Sequence, residues 1–169
     1  MPVVCDYTMI NKRLGTTNPK TGKIEEQIFG SWDHPFVIGD AGGGATFGKD
    51  RFEVEFRTAA MEHAPALLSL MVRGISTNHP QTDNPEDKGS RVAILSEFTN
   101  RERGTTIGRL LPAPDGMWRQ EQFQIPTNTL SPDKPNKLII GRVDLPGAGE
   151  AHDEFEVRDI VCFFKQFAK

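Results

Sequence analysis

Sulfur is scarce in this chain: cysteine occurs twice, as Cys5 and Cys162, almost at opposite ends of 169 residues. That number and spacing make neither a disulfide framework nor a zinc site, both of which gather more ligands close together. Long apolar runs are also missing. Nothing approaches the roughly 20 consecutive apolar residues that span a bilayer, and the opening MPVVCDYTMINKR has no basic segment before its short apolar run. No membrane partner is therefore expected, and the chain reads as cytoplasmic unless it is exported by a route that leaves no signal. Charge of one sign is lacking too. The net charge is −3, with acids and bases mixed along the whole length, so no basic stripe is offered to phosphate backbones and nucleic acid is not an expected partner.

Catalytic and cofactor signatures are equally sparse. The four histidines, His34, His63, His79 and His152, show no H-x-x-x-H or H-x-H spacing, so no metal and no cofactor is assigned. No G-x-S-x-G occurs, and the carboxylates are too many for a catalytic pair to be chosen by spacing. The glycine-dense stretch GDAGGGATFGKD, residues 39–50, satisfies a phosphate loop from Gly43 to Lys49, but Asp50 stands where a hydroxyl must hold magnesium. A strand-like segment follows it, whereas a phosphate loop must run into a helix. Gly42, Gly43 and Gly44 accordingly read as turn formers.

What the sequence does have is period-two alternation. In RFEVEFRT, Phe52, Val54 and Phe56 face one way and Glu53 and Glu55 the other, the pattern of a half-buried strand. ALLSLMVRGI, residues 66–75, is apolar on both faces and reads as a central strand. Residues 3–10, 91–98, 105–111, 118–125, 137–145 and 155–167 add further β-branched or aromatic runs, separated by Pro, Gly, Asn and Asp clusters that supply turn geometry. With 37% hydrophobic and 25% charged residues, a folded core is expected. The expectation is one all-β domain over residues 1–169, an antiparallel β-sandwich or jelly roll of about eight strands with little helix.

The second half carries a recurring grammar. Ile107, Gly108 and Leu110 form an "IG-x-L" strand; Phe123, Ile125 and Pro126 end a segment as "F-x-IP"; Leu130, Asn136, Leu138 and Ile140 follow as "L…N-x-L-x-I"; and EFEVRDIVCFF closes the chain. Over about residues 91–167 this resembles the galactose-binding-like β-sandwiches, the jelly rolls typical of carbohydrate-binding modules. The resemblance implies a sandwich whose ligands, saccharides among them, sit in loops at one end or on an exposed sheet face. It also implies that the first and last strands lie side by side, which would make Cys5 and Cys162 neighbours. The expectation is two reduced, buried thiols packed as small apolar residues; the alternative is a disulfide between them that closes nearly the whole chain.

Candidate binding residues are few. Trp32, Asp33 and His34 stand together in GSWDHPF. An indole can stack on the apolar face of a pyranose while the polar pair bonds its hydroxyls; the other use of such a tryptophan is to cover one end of the sandwich. Arg101 and Arg103, in the turn NRERGTT, can fork onto a carboxylate or phosphate, or simply solvate the turn. The segment 76–89, with Asp83, Glu86 and Asp87, is the longest interruption between strands and fits no EF-hand spacing. The resemblance implies that Trp118 is structural, packing at the sandwich rim. Three readings follow. The first is a non-catalytic module binding a saccharide through loops at one end. The second is an assembly or interaction protein that docks a sheet face on a copy of itself or on another protein, suggested by Val161 and Phe163 alternating with Ile160, Cys162 and Phe164. The third is a jelly-roll hydrolase or lyase.

Overall fold

The computed structural model describes residues 1–39, 51–75, 90–99, 104–110, 116–141 and 155–168. Among them are eleven strands and no helix: β1 (Val3–Ile10), β2 (Lys12–Thr17), β3 (Ile24–Phe29), β4 (Phe36–Ile38), β5 (Arg51–Phe56), β6 (Ala66–Arg73), β7 (Ser90–Leu95), β8 (Thr105–Leu110), β9 (Arg119–Ile125), β10 (Asn136–Gly141) and β11 (Phe155–Phe167). The alternating segments of the sequence are thus strands. All pairings are antiparallel. One sheet runs β1-β11-β6-β9, with β4 also paired to β11; the other runs β5-β10-β7-β8; β2 and β3 form a separate hairpin. From β5 onward the chain alternates between the two sheets except at the β7–β8 hairpin, the winding of a jelly roll.

Alternation decides the core. Phe52, Val54 and Phe56 of β5, Val92 and Ile94 of β7, and Leu138 and Ile140 of β10 meet Leu68, Leu70 and Val72 of β6 and Ile160, Cys162 and Phe164 of β11 in one buried cluster. Facing residues of two sheets interdigitate in this way because each strand offers every second side chain to the same side. Phe36 of β4 contacts Phe52 across the sandwich with ring centroids 4.7 Å apart. As expected for a central strand, β6 lies between β11 and β9. Its second face is only partly covered, Leu67 and Met71 being half-buried.

The "IG-x-L" and "N-x-L" pieces have packing reasons. A Cβ at Gly108 would lie 2.2 Å from Cδ1 of Phe123, so the aromatic ring of β9 occupies the space that any other residue of β8 would need. Asn136, fully buried, bonds Ser131 in both directions: its Oδ1 accepts from the Ser131 N–H at 2.8 Å and its Nδ2 donates to the Ser131 carbonyl at 2.9 Å. The side-chain amide thus substitutes for a backbone partner and closes the loop before β10, with Leu130 buried beneath.

Three strands exceed the eight expected, and their absence from the pattern has a cause. β2 and β3 are largely solvent-exposed, with Leu14 and Phe29 facing the core, so no apolar alternation marks them. The hairpin is set by its turn, in which the Asn18 Oδ1 accepts from Lys20 N at 2.9 Å and the Gly22 N–H donates to the Asn18 carbonyl at 2.8 Å. β4 is three residues long, too short to show a period. The glycine-rich residues 40–50, the segment 76–89 and the end of the expected 137–145 strand lie outside the described residues.

The cysteine expectation needs correction. β1 and β11 do pair, but Cys5 stands opposite Lys165 and Cys162 opposite Thr8. One step of parity separates them, so they point to opposite faces of the sheet: both are free, Cys162 buried and Cys5 exposed. Burial pushes the Cys162 thiol up from 9.0 to about 12. Two results are expected. A thiol reagent titrates one cysteine per native chain and two in denaturant. In addition, because the unfolded chain releases the Cys162 proton near 9 and the folded chain does not, stability falls as pH rises above about 9, a slope that Cys162→Ala removes in alkaline urea titrations. Separately, Asn136→Ala strands two buried backbone groups and lowers unfolding free energy by about 2–4 kcal/mol, whereas Gln124→Ala on the exposed face of β9 changes it by less than about 0.5 kcal/mol; urea denaturation distinguishes them.

Candidate ligand-binding site

β11 changes neighbour along its length. Its first residues pair with β4, Phe155 with Ile38 and Val157 with Phe36, and its later ones with β1, Ile10 with Ile160 and Val3 with Phe167. Between the two sets its register against β6 shifts, from Arg158–Met71 to Val161–Ser69. This bulge reverses the parity of burial: Phe155 and Val157 point inward before it, Ile160, Cys162 and Phe164 after it. Asp159 carries the irregularity at φ 50°, a left-handed conformation that aspartate tolerates better than most residues.

The bulge has a partner in the loop between β3 and β4. The Asp159 N–H donates to the Gly30 carbonyl at 2.7 Å, and the Gly30 N–H donates to the His34 carbonyl at 2.7 Å, closing the loop at its neck. Gly30 is required twice over. Its φ is +97°, and a Cβ there would lie 2.5 Å from Cε2 of Phe36, a core ring. From this neck the residues Ser31–Pro35 project outward.

Trp32 is 74% exposed, so it does not cover one end of the sandwich; the fully buried Phe36 fills the core beside the Gly30 neck. The loop is nonetheless held. Nη1 of Arg158 donates to the Trp32 carbonyl at 3.0 Å, and the Ser31 hydroxyl donates to Oδ1 of Asp33 at 2.5 Å. The Ser31 hydrogen bond holds the Asp33 carboxyl below its ordinary range, with the neighbouring His34 assisting. Nε2 of His34 lies 3.8 Å from Oδ2 of Asp33, and its ring is tilted against Phe29 at 5.9 Å. The structure therefore presents Trp32, Asp33 and His34 on one fixed loop: an exposed indole beside an ionised acceptor.

Sequence reasoning missed the residues that fix this loop. Arg158 lies with its guanidinium carbon 4.1 Å from the Trp118 ring centroid, and Arg73 lies at 4.7 Å from the same ring. Arg73 in turn pairs with Glu156, its partner on the neighbouring strand β11, and Asp159 approaches Nε of Arg158 at 3.4 Å. Trp118 is thus engaged by two cations, a packing role at the rim, while Trp32 keeps its faces open. The one signal in the sequence was V-R-D-I inside the last strand, two adjacent charges where alternation allows one. Arg101 and Arg103 lie outside the described residues.

Other polar groupings read as framework. Ser131 donates to Glu97 at 2.5 Å and Glu97 pairs with Lys134, but Ser131 is fully buried and joins the Asn136 turn. His63 meets Asn128 at 2.8 Å, remote in sequence from the tryptophan loop. Among the described residues, no three His, Cys, Asp or Glu side chains gather as a metal site, and no helix is long and apolar enough to cross a membrane.

No family model matches the sequence, and no curated protein matches it. Among solved structures, the chain is similar to a cleaved adhesin domain of Lys-gingipain from Porphyromonas gingivalis, with 8% identity and a TM-score of 0.44 over 96% of this chain and 98% of that one.

The clamp predicts its own mutants. Arg158→Ala frees the Trp32 carbonyl and uncovers Trp118, lowering stability by about 2 kcal/mol and weakening the near-ultraviolet tryptophan dichroism. Arg158→Lys restores the charge without the fork or the planar stack and recovers only part of both signals. Trp32→Phe leaves stability within about 0.5 kcal/mol, since the loop is held through its backbone.

Proposed function

We propose that this protein is a non-catalytic binding module and that its ligand is a saccharide held on the loop of Trp32, Asp33 and His34. The observation that carries the reading is the exposure of Trp32 on a loop whose backbone is fixed from below by Gly30, Asp159 and Arg158. A large apolar ring left in water costs hydrophobic free energy unless something covers it, and a rigid loop loses little conformational entropy when a ligand arrives. A pyranose suits the place: its apolar face stacks on the indole, and its hydroxyls donate to the Asp33 carboxylate, whose ionised form the Ser31 hydrogen bond favours.

Calorimetric titration with a panel of mono- and oligosaccharides tests this, with tryptophan fluorescence as a second readout. At least one sugar binds with a dissociation constant in the ~mM range or tighter. Trp32→Ala abolishes binding, and Asp33→Asn weakens it about tenfold, about 1.4 kcal/mol. The Asp33 contribution is present above its lowered ionisation range and disappears only as pH falls through it. Absence of saccharide binding at millimolar concentration, with Trp32 emission unmoved, removes the reading.

A further inference from the structure

The outer face of the β1–β11 ribbon is apolar and uncovered. By register its rows are Val3 opposite Phe167, Cys5 opposite Lys165, Tyr7 opposite Phe163 and Met9 opposite Val161, and Phe163 continues onto Leu67 of β6. Tyr7 is 60% exposed, Phe167 50% and Phe163 43%, with Val3 and Met9 about half exposed beside them. The Tyr7 and Phe163 rings lie 6.3 Å apart and tilted. Along one margin runs a groove of about 360 Å³ lined by Cys5, Pro65, Leu67 and Phe163 among others. The face lies on the opposite side of the sheet from Ile160, Cys162 and Phe164, so it adds nothing to the core.

Its size is informative. With a whole aromatic side chain carrying about 150–250 Å², the exposed parts of these five side chains make an apolar patch of about 500 Å², near the upper end for a monomer. A stable protein interface buries about 800 Å² on each partner, about 60% of it apolar. The patch matches the apolar part of one such interface.

We propose that this face is a self-association surface, on which a second copy of the chain packs its own β1–β11 ribbon face to face about a two-fold axis. The borders favour a copy over other occupants. Lys165 stands within the patch, and the Met61 N–H donates to the Lys165 carbonyl at 2.8 Å, which brings the next residue, the exposed Glu62, close to it in the fold; a two-fold axis running between such a base and acid can set each against its opposite. An anionic lipid surface calls for a basic rim, which one lysine beside one glutamate does not make. Contact runs through the face and not through strand addition at the edge of β1, because the Tyr7 N–H is already taken by the Asp6 carboxylate at 2.8 Å, and Asp6 also accepts from Gln166. Two sheets packing this way interleave Tyr7, Phe163 and Met9 at the usual sheet spacing, and the groove receives a partner side chain.

Sedimentation equilibrium across the micromolar range, with the intact chain, tests the proposal. The wild type shows a concentration-dependent dimer. Tyr7→Lys and Phe163→Lys each weaken it about 100-fold, without loss of the folded far-ultraviolet spectrum, since both side chains are exposed. If either lysine variant misfolds, Tyr7→Ser and Phe163→Ser serve instead, and alkylation of Cys5 by iodoacetamide gives an independent reading: slowed in the dimer and fast in the diluted monomer. A strict monomer at every concentration overturns the proposal, and so does a dimer that survives both substitutions with Cys5 equally reactive throughout. Saccharide binding by Trp32 is scored separately, on the monomeric variants, so failure of one reading leaves the other legible.

Discussion

The structure depends on one irregularity in one strand. β11 is thirteen residues long and runs through the middle of its sheet, beside β6 on one side and β4 then β1 on the other. A regular strand of that length would keep one parity of burial from end to end. The shift at Arg158–Val161 lets the strand turn Phe155 and Val157 into the core where it pairs with β4, and Ile160, Cys162 and Phe164 into the core where it pairs with β1, so a single segment serves two differently phased halves of the core. The same shift frees one backbone N–H, that of Asp159, which the loop below Trp32 takes up through Gly30. Packing and the candidate site are therefore two results of one backbone event.

That arrangement explains why the tryptophan loop is both exposed and fixed. Loops that carry binding residues usually gain precision from a scaffold beneath them. Here the scaffold is a chain of contacts with alternating chemistry: Gly30 at the neck, a backbone bond to Asp159, the Arg158 guanidinium on the Trp32 carbonyl, and the Trp118 ring against that guanidinium. None of these uses the Trp32 indole itself. The side chain is left in solvent while its backbone is held.

Much of the sandwich was legible in the sequence, and the reasons for the gaps are physical. Phe52, Val54 and Phe56 alternate with glutamates because one face of β5 is wet, and Asn136 and Gly108 sit where a turn and an aromatic ring demand them. β2 and β3 escaped notice because they bury little and so carry no apolar rhythm; their turn at Asn18–Gly22 was the only mark. Cys5 was expected inside, and it lies outside because parity along β1 places it with Tyr7 and Met9 rather than with Ile10. At the site, Trp32, Asp33 and His34 could be picked out from residue type alone, but whether the indole caps the core or faces water depends on Phe36 and on the Gly30 neck, neither of which has a sequence signature. Arg158 reads as an ordinary surface charge until the bulge turns it toward Trp118.

Amide hydrogen exchange at Asp159 tests the central claim most directly, because that N–H is the bond between the strand irregularity and the Trp32 loop. If the bulge fixes the loop, the Asp159 amide exchanges as slowly as the core amides of β11, such as those of Val157 and Cys162, and it does so without any ligand. Exchange at the rate of an open loop, with the rest of β11 protected, would contradict the account and leave Trp32 on an untethered segment.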